Sequence, residues 1–296
     1  MSFRIALVSD LHLTRRPSLF QYNWEIVVDM IREWSPDLVV CAGDIAVDGP
    51  GNPDDLVYGR EQLGRLGVDV LSIPGNHDVG DAFLGHDPVE EATMERYRSV
   101  FGPDHWVVER GDWILVGLNA QLIGTGLGGE AEQIAALESA IANASGKPVA
   151  VFGHKTLHLG DPEAEIPTGW TLPRPQGALL RRMMQDGGVR FYASGHFHRY
   201  REIDDNGIRL LWAPSPAFLT NHPSFATRGG LSKAGFVCLE LHPDGTFTSR
   251  FAEDNAMIQF DIQNAITDGS KSRKRWSEKL SINVVRRDQP VAAEAE

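Results

Sequence analysis

The sequence predicts an α/β (α+β) fold, because short apolar runs alternate with amphipathic stretches over residues 4–194. The apolar runs are rich in Val, Ile and Leu, a composition typical of buried strands. Strands that alternate with helices favour a sheet with helices packed on its faces. The length of 296 residues and the hydrophobic content of 42% allow a sizeable core.

Six apolar runs are predicted to form strands, and they are "RIALVS", "DLVVCA", "VDVLSIP", "DWILVGLN", "KPVAVFG" and "VRFYAS". Amphipathic stretches are predicted to form helices at residues 22–34, 56–66, 88–101, 130–144 and 175–185. Beyond residue 195 the chain becomes mostly β. There Asn206-Gly207 and Asp244-Gly245 each separate two strand-like runs, so two β-hairpins are expected.

The chain is predicted to contain one main domain, residues 1–252, because no linker or repeat interrupts residues 3–252. Residues 253–296 lose this periodicity and finish in "PVAAEAE", so we expect a C-terminal extension that is partly a disordered tail. Its basic cluster "SKSRKRW", at 270–276, is interpreted as part of a solvated tail rather than a binding patch.

Charge and cysteine content restrict the partners and the compartment. The formal net charge of −12 makes nucleic acid an unlikely partner, whereas a small anionic substrate can be bound if metal ions supply local positive charge. Cys41 and Cys238 lie in apolar runs and are expected to be buried free thiols. The first apolar run is too short for a signal peptide or a membrane span. We therefore expect a cytoplasmic protein with no membrane partner.

Polar side chains follow five of the predicted strands at the points where the strands end. The first strand is followed by Asp10 and His12, the second by Asp44, the third by Asn76 and His77, the fifth by His154, and the sixth by His196 and His198. Each alone is typical of a helix cap or a turn. Because the carboxyl ends of parallel strands open on the same rim, we expect these side chains to meet there.

Glycine also stands directly before Asp44, Asn76, His154 and His196, where it would let the backbone approach closely. Carboxylate, imidazole and amide groups are ligands that suit divalent Mn, Fe or Zn. The set is too large for one tetrahedral ion. A two-metal site with Asp44 as the bridge is therefore predicted, and His196 and His198 are expected to give one nitrogen each to the two ions.

The ordered motifs Asp-x-His, Gly-Asp, Gly-Asn-His-Asp, Gly-His and Gly-His-x-His resemble those of the calcineurin-like metallophosphoesterases over about residues 3–250. The resemblance implies a four-layer αββα sandwich of two mixed β-sheets flanked by helices. It implies that the first ion is held by Asp10, His12, Asp44 and His198. The second ion would be held by Asp44, Asn76, His154 and His196.

Two motifs depart from the family pattern. Phosphodiesterases of the family commonly have His-His-Pro or His-x-Pro at the fourth motif, whereas this chain has "GHKTLH", so His158 stays open as an alternative ligand to His154. Phosphoprotein phosphatases carry an aspartate three positions after the bridging one. Val47 stands at that position, which disfavours protein phosphatase activity.

The resemblance implies hydrolysis of a phosphodiester by attack of a hydroxide that bridges the two ions, and His77 is predicted to be the catalytic proton donor. The branch it resembles hydrolyses cyclic nucleotides and glycerophosphodiesters. Trp212, Phe218 and His222 are candidates for a substrate-pocket wall, although ordinary loop packing explains them equally well.

Two other functions stay open. The enzymatic one is a phosphomonoesterase, pyrophosphatase or exonuclease of the same fold. The other is a scaffold that has lost catalysis and binds proteins, although every ligand position is filled here. A homo-oligomer is compatible with the resemblance, because family members often form dimers.

Overall fold

The computed structural model describes residues 2–16, 18–84, 87–164, 169–221 and 229–264. The strands are Phe3–Val8 (β1), Leu38–Cys41 (β2), Val70–Ser72 (β3), Trp106–Arg110 (β4), Trp113–Gly117 (β5), Val149–Phe152 (β6), Phe191–Ser194 (β7), Arg201–Asp205 (β8), Ile208–Trp212 (β9), Phe236–Leu241 (β10) and Phe247–Ala252 (β11). The helices are Leu19–Trp34 (α1), Asp54–Gly64 (α2), Asn76–Val79 (α3), Glu91–Phe101 (α4), Glu130–Ala142 (α5) and Arg174–Asp186 (α6).

The strands form two mixed sheets. The first sheet has the order β11-β10-β1-β2-β3, in which β1, β2 and β3 are parallel and the β10-β11 hairpin is antiparallel to β1. The second has the order β4-β5-β6-β7-β9-β8, in which β5, β6, β7 and β9 are parallel and the outer strands are antiparallel. The parallel strands of each sheet therefore end on the same side.

Alternate side chains of the strands enter different cores, which produces four layers. In β1, Ile5 and Leu7 belong to the core between the sheets, where Phe152 of β6 also packs. Ala6 and Val8 face the other way, into a core covered by side chains from α1, α2 and α4. The outer face of the second sheet packs against α5 and α6 in the same manner. The predicted αββα sandwich is confirmed.

All six predicted strands and all five predicted helices are present, with ends shifted by a few residues. Both hairpins are also confirmed. Asn206 and Gly207 have φ angles of 52° and 92°, which suit the tight turn expected between β8 and β9. The sequence analysis missed the strand β4 and the single-turn helix α3. The two cysteines are buried free thiols, as predicted.

The first part of the predicted C-terminal extension packs on the domain. Met257 and Ile262 are buried, and the Asn23 side chain accepts a hydrogen bond from the amide of Ile258 over 2.8 Å. The basic cluster 270–276 and the rest of 265–296 lie outside the described residues, so the division at residue 252 stays a prediction. Among the helices that the structure describes, none is long and apolar enough to cross a membrane.

Candidate metal centre

Side chains from five strand ends meet in one buried cluster, at the carboxyl ends of the parallel strands of both sheets. The cluster contains every residue predicted to bind metal, namely Asp10, His12, Asp44, Asn76, His154, His196 and His198, and each is at most 7% exposed. They reach it from the carboxyl ends of β1, β2 and β3 in the first sheet and of β6 and β7 in the second. The sequence therefore correctly indicated which strand ends converge.

The first group of potential ligands consists of Asp10, His12 and His198, whose ligand atoms all lie within 4.8 Å of one another. His198 Nε2 is 3.3 Å from Asp10 Oδ1 and also 3.3 Å from His12 Nε2. Burial, followed by the nearby His77, lowers the pKa of His12 well below its usual value. His12 is therefore a neutral imidazole, the form that donates a lone pair to a cation.

The second group consists of Asp44, His154 and His196, again with ligand atoms within 4.8 Å. Asn76 adds an amide oxygen, since its Oδ1 lies 3.2 Å from His154 Nε2. His196 Nε2 is buried and has no hydrogen-bond partner among the described residues, and burial lowers the pKa of this imidazole. A buried lone pair without a partner is costly, so this nitrogen fits a cation better than it fits the protein alone.

Asp44 connects the two groups through a single atom. Its Oδ2 is 3.4 Å from His154 Nε2 and 3.9 Å from His12 Nε2. Burial alone would raise the pKa of Asp44, but His154 and His77 together lower it well below its usual value. The carboxylate is therefore charged, and its Oδ2 is placed to serve a cation in each group.

The imidazoles of His154 and His198 are held in a defined orientation by backbone carbonyls. His154 Nδ1 donates to the carbonyl of Ala42 over 2.7 Å, and His198 Nδ1 donates to that of Phe218 over 2.8 Å. Burial would lower the pKa of His154, but Asp44 beside it raises that pKa to about 9, so a cation at Nε2 would displace a proton. In both residues the carbonyl can only accept, so Nδ1 donates to it and Nε2 is the atom that faces the cluster. This is the second contact that metal-binding histidines usually make.

The backbone at the cluster adopts an unusual conformation. Five of the seven potential ligands have φ in the left-handed region, and they are Asp10 (56°), His12 (46°), Asp44 (53°), His196 (70°) and His198 (53°). Non-glycine residues seldom adopt this region, and such residues concentrate at functional sites.

Two of the glycines singled out in the sequence are required by close packing. A Cβ atom at Gly75 would overlap the carboxylate of Asp44, and one at Gly195 would overlap Ser9 Oγ and the Asp10 carboxylate. The backbone at Gly195 thereby comes close enough for the amide of His196 to donate to Asp10 Oδ2 over 3.0 Å. The prediction that these glycines allow close approach is confirmed.

His77 lies beside this cluster and is half-buried. Its amide donates to Asp44 Oδ1 over 2.7 Å, its Nδ1 donates to the carbonyl of Val47 over 2.7 Å, and its ring is 4.5 Å from that of His12. His77, His12 and Asp44 also form a third group with ligand atoms within 4.8 Å. The geometry therefore allows His77 either to bind an ion or to transfer a proton beside one.

The sequence analysis also singled out His158 and three candidates for a substrate-pocket wall. His158, the alternative to His154, directs Nε2 to Asp205 Oδ2 at 3.0 Å and accepts at Nδ1 from the amide of Gly160, so it does not reach the cluster. Trp212 is fully buried, which makes its proposed place in a pocket wall wrong. Phe218 is also buried and packs 4.3 Å from the ring of His198. His222 lies outside the described residues.

The sequence analysis missed the buried residues around the cluster. Asp78 accepts from the amides of Ala46 and Gly75, and so joins the loops that carry Asp44 and Asn76. Burial, followed by Asp44, raises the pKa of Asp78 to about 7. The motif "GNHD" contained this aspartate, but its partners are distant in sequence and no local pattern pointed to them.

The four-layer fold and the buried cluster of acids and imidazoles define a metal-dependent hydrolase. The family model for calcineurin-like phosphoesterases matches residues 3–200, and the chain belongs to this family. Its members use divalent metal ions to hydrolyse phosphoric esters, and the clustered Asp and His side chains are suited to hold such ions.

The chain is similar to several proteins named as phosphoesterases. It is 27% identical over 259 residues to the 3',5'-cyclic adenosine monophosphate phosphodiesterase CpdA of Escherichia coli K12, covering 83% of this chain and 88% of that protein. It is 30% identical over 176 residues to the glycerophosphodiester phosphodiesterase GpdQ of Enterobacter lignolyticus, covering 54% of this chain and 60% of that protein. A dimetal phosphatase from Danio rerio has the same fold, with a TM-score of 0.60 at 15% identity over 84% of this chain and 95% of that one.

Proposed function

We propose that this protein is a phosphodiesterase that uses two divalent ions, Mn, Fe or Zn, to hydrolyse a cyclic nucleotide or a glycerophosphodiester. The observation that carries the proposal is the position of Asp44 Oδ2 between His12 and His154. A carboxylate oxygen shared by two ligand groups suits two ions held close together, as in two-metal sites.

The remaining ligands divide around this oxygen. Asp10, His12 and His198 would hold the first ion together with Asp44, and Asn76, His154 and His196 would hold the second. The bound pair supplies the Lewis acidity that polarises a phosphoryl group and makes water a nucleophile near neutral pH. The chain contributes the buried carboxylates, which offset the charge of the ions, and the fixed imidazoles, which set where the phosphate lies.

His77 is proposed to donate a proton to the leaving alkoxide. The bond from its Nδ1 to the carbonyl of Val47 fixes the ring, so Nε2 is the atom that would transfer the proton. His77 is half-buried, whereas the seven potential ligands are buried, and its ring lies 4.5 Å from that of His12, which suits a proton donor at the edge of the cluster. A positioned imidazole commonly contributes about 10²–10⁴-fold to such a step.

Trp170 supports the cyclic-nucleotide class of substrate. Its ring is half-buried and lies 5.3 Å from the ring of His196 and 5.9 Å from that of Phe197. An indole beside the proposed second ion can stack on a nucleobase whose phosphate is held at the cluster. The similarity to CpdA, which is named for cyclic AMP, also favours this class.

The test is a substrate panel on chelator-stripped protein that has been reloaded with Mn²⁺. Cyclic AMP, a glycerophosphodiester and bis(nitrophenyl) phosphate should be hydrolysed faster than nitrophenyl phosphate. Protein kept free of metal serves as the control. Preference for the monoester over all three diesters would contradict the proposal.

A further inference from the structure

Lys155 is fully buried directly after the potential ligand His154. Its Nζ lies 2.6 Å from Asp81 Oδ2, and Asp81 is only 2% exposed. A buried lysine is unfavourable unless its charge is paired and hydrogen-bonded. Nothing in the proposed chemistry uses this amine, so its retention beside the cluster needs another explanation.

Asp81 is tied to the loop that follows α3. Its Oδ1 accepts from the amides of Phe83 and Leu84 over 2.7 and 3.0 Å. α3 begins at Asn76, whose side-chain amide is one of the proposed ligands of the second ion. The ion pair therefore joins the segment that carries Asn76 to the segment that carries His154.

Gln121 connects Asp81 to the start of the same segment, at Asn76. When its carboxamide is oriented so that both of its polar atoms are satisfied, its nitrogen donates to Asp81 Oδ2 over 3.0 Å and its oxygen accepts from the amide of Asn76 over 3.2 Å. Gln121 is 1% exposed. A buried chain of contacts thus runs from Lys155 through Asp81 and Gln121 to the backbone of Asn76.

The two segments also meet at the ligand atoms themselves, where Asn76 Oδ1 lies 3.2 Å from His154 Nε2. We propose that Lys155, Asp81 and Gln121 are positioning residues that hold Asn76 against His154 and so set the affinity of the second cation site. The inference rests on the proposed two-metal centre. The first site, built from Asp10, His12 and His198, has no member in this chain of contacts.

If the pair of Lys155 and Asp81 has only a structural role, its removal should have a different effect. Removing one partner of a buried pair leaves an uncompensated charge and destabilises the whole domain. A structural role would therefore lower the melting temperature and leave both cation affinities intact in the folded protein. A positioning role lowers the affinity of one site selectively.

The experiment is a calorimetric titration of the chelator-stripped full chain with Mn²⁺ alone. The Asn76→Ala variant identifies the signal of the second ion. Lys155→Met should weaken that signal by about 10–100-fold, the range usual for residues that orient metal ligands, and leave the first within about twofold. Arg181→Met, which breaks the pair with the buried Asp205, is the matched control and should leave both affinities unchanged.

Asp81→Asn provides the second variant if Lys155→Met does not fold. It keeps the shape of the side chain and removes the charge, and the same selective loss is expected. If either folded variant binds both ions as tightly as wild type does, the positioning role is wrong, although the two-metal centre still stands. Wild-type protein that takes up one ion or none would instead overturn the two-metal centre, so the two failures are distinguishable.

Discussion

The backbone amide of His77 donates a hydrogen bond to Asp44 Oδ1 over 2.7 Å, although 33 positions separate the two residues. This bond occupies one carboxylate oxygen and leaves Oδ2 facing His12 and His154. The two oxygens of Asp44 thus have different tasks. One holds the loop that carries His77, and the other is the proposed bridge.

Replacing Asp44 by alanine should remove both ions, because each group loses the oxygen that they share. We expect metal content to fall from about two equivalents to well below one, and turnover to fall to background. Elemental analysis after dialysis against Mn²⁺ measures the first quantity. Asp48→Ala is the control, since this aspartate caps a nearby turn at Gly51 and lies outside the cluster. Retention of two ions by Asp44→Ala would contradict the bridge.

The His77→Ala variant should keep its metal and lose activity. With a poor leaving group such as the alkoxide of a glycerophosphodiester, the rate should fall by about 10²–10⁴-fold. With nitrophenol as leaving group the loss should be much smaller, because that anion needs no proton. Loss of one metal equivalent would instead make His77 a ligand, in agreement with its place near His12 and Asp44.

The Trp170→Ala variant should raise KM for cyclic AMP and leave kcat nearly unchanged. Base stacking on an aromatic ring is worth about 1–3 kcal/mol, so an increase of roughly fivefold or more is expected. KM for a glycerophosphodiester, which has no base, should stay the same. Trp34→Ala is a suitable control. Trp34 is the last residue of α1, and its ring lies under the guanidinium of Arg4. Equal changes in KM for both substrates would rule out stacking.

Stability should depend on pH through Asp104, a buried carboxylate that belongs to none of the ligand groups. Burial would raise its pKa, but hydrogen bonds from His105, Asn119 and Arg98 lower it below the usual range. A lowered pKa contributes stability that is present above the unfolded value of about 3.9 and is lost as the pH falls through the folded value.

Asp104→Asn should therefore lower the free energy of unfolding at pH 7 by about 1–3 kcal/mol. The difference from wild type should shrink as the pH is lowered toward 3. Urea unfolding at a series of pH values measures it, and the exposed Asp112→Asn serves as control. A difference that stays constant down to pH 3 would mean that the charge of Asp104 is not responsible.

Periodicity predicted most of the fold because buried strands and amphipathic helices carry local patterns. β4 was missed because its residues alternate between half-buried and exposed, and "WVVER" has only three consecutive apolar residues. α3 is a single turn and has no periodicity to detect. The hairpin at Asn206-Gly207 was predicted correctly, since its turn residues act locally.

The potential ligands were found for a different reason. Each stands just after a strand, and parallel strands bring their ends together whatever the distance in sequence. The pair of Lys155 with Asp81 has no such signal, because 74 positions separate the partners and neither stands in a recognisable pattern. Contacts of this kind depend on how the loops pack, which only the three-dimensional structure shows.

The left-handed backbone conformation lowers the stability of the fold at residues that the proposed activity needs. These residues are Asp10, His12, Asp44, His196 and His198. Each such residue costs about 1–3 kcal/mol relative to a relaxed conformation, so glycine at any of them would relieve strain while deleting a ligand. Selection for heat resistance alone would favour such glycines. A thermostable variant with an emptied centre is therefore an easy product of directed evolution, and screens on this protein need an activity criterion at every round.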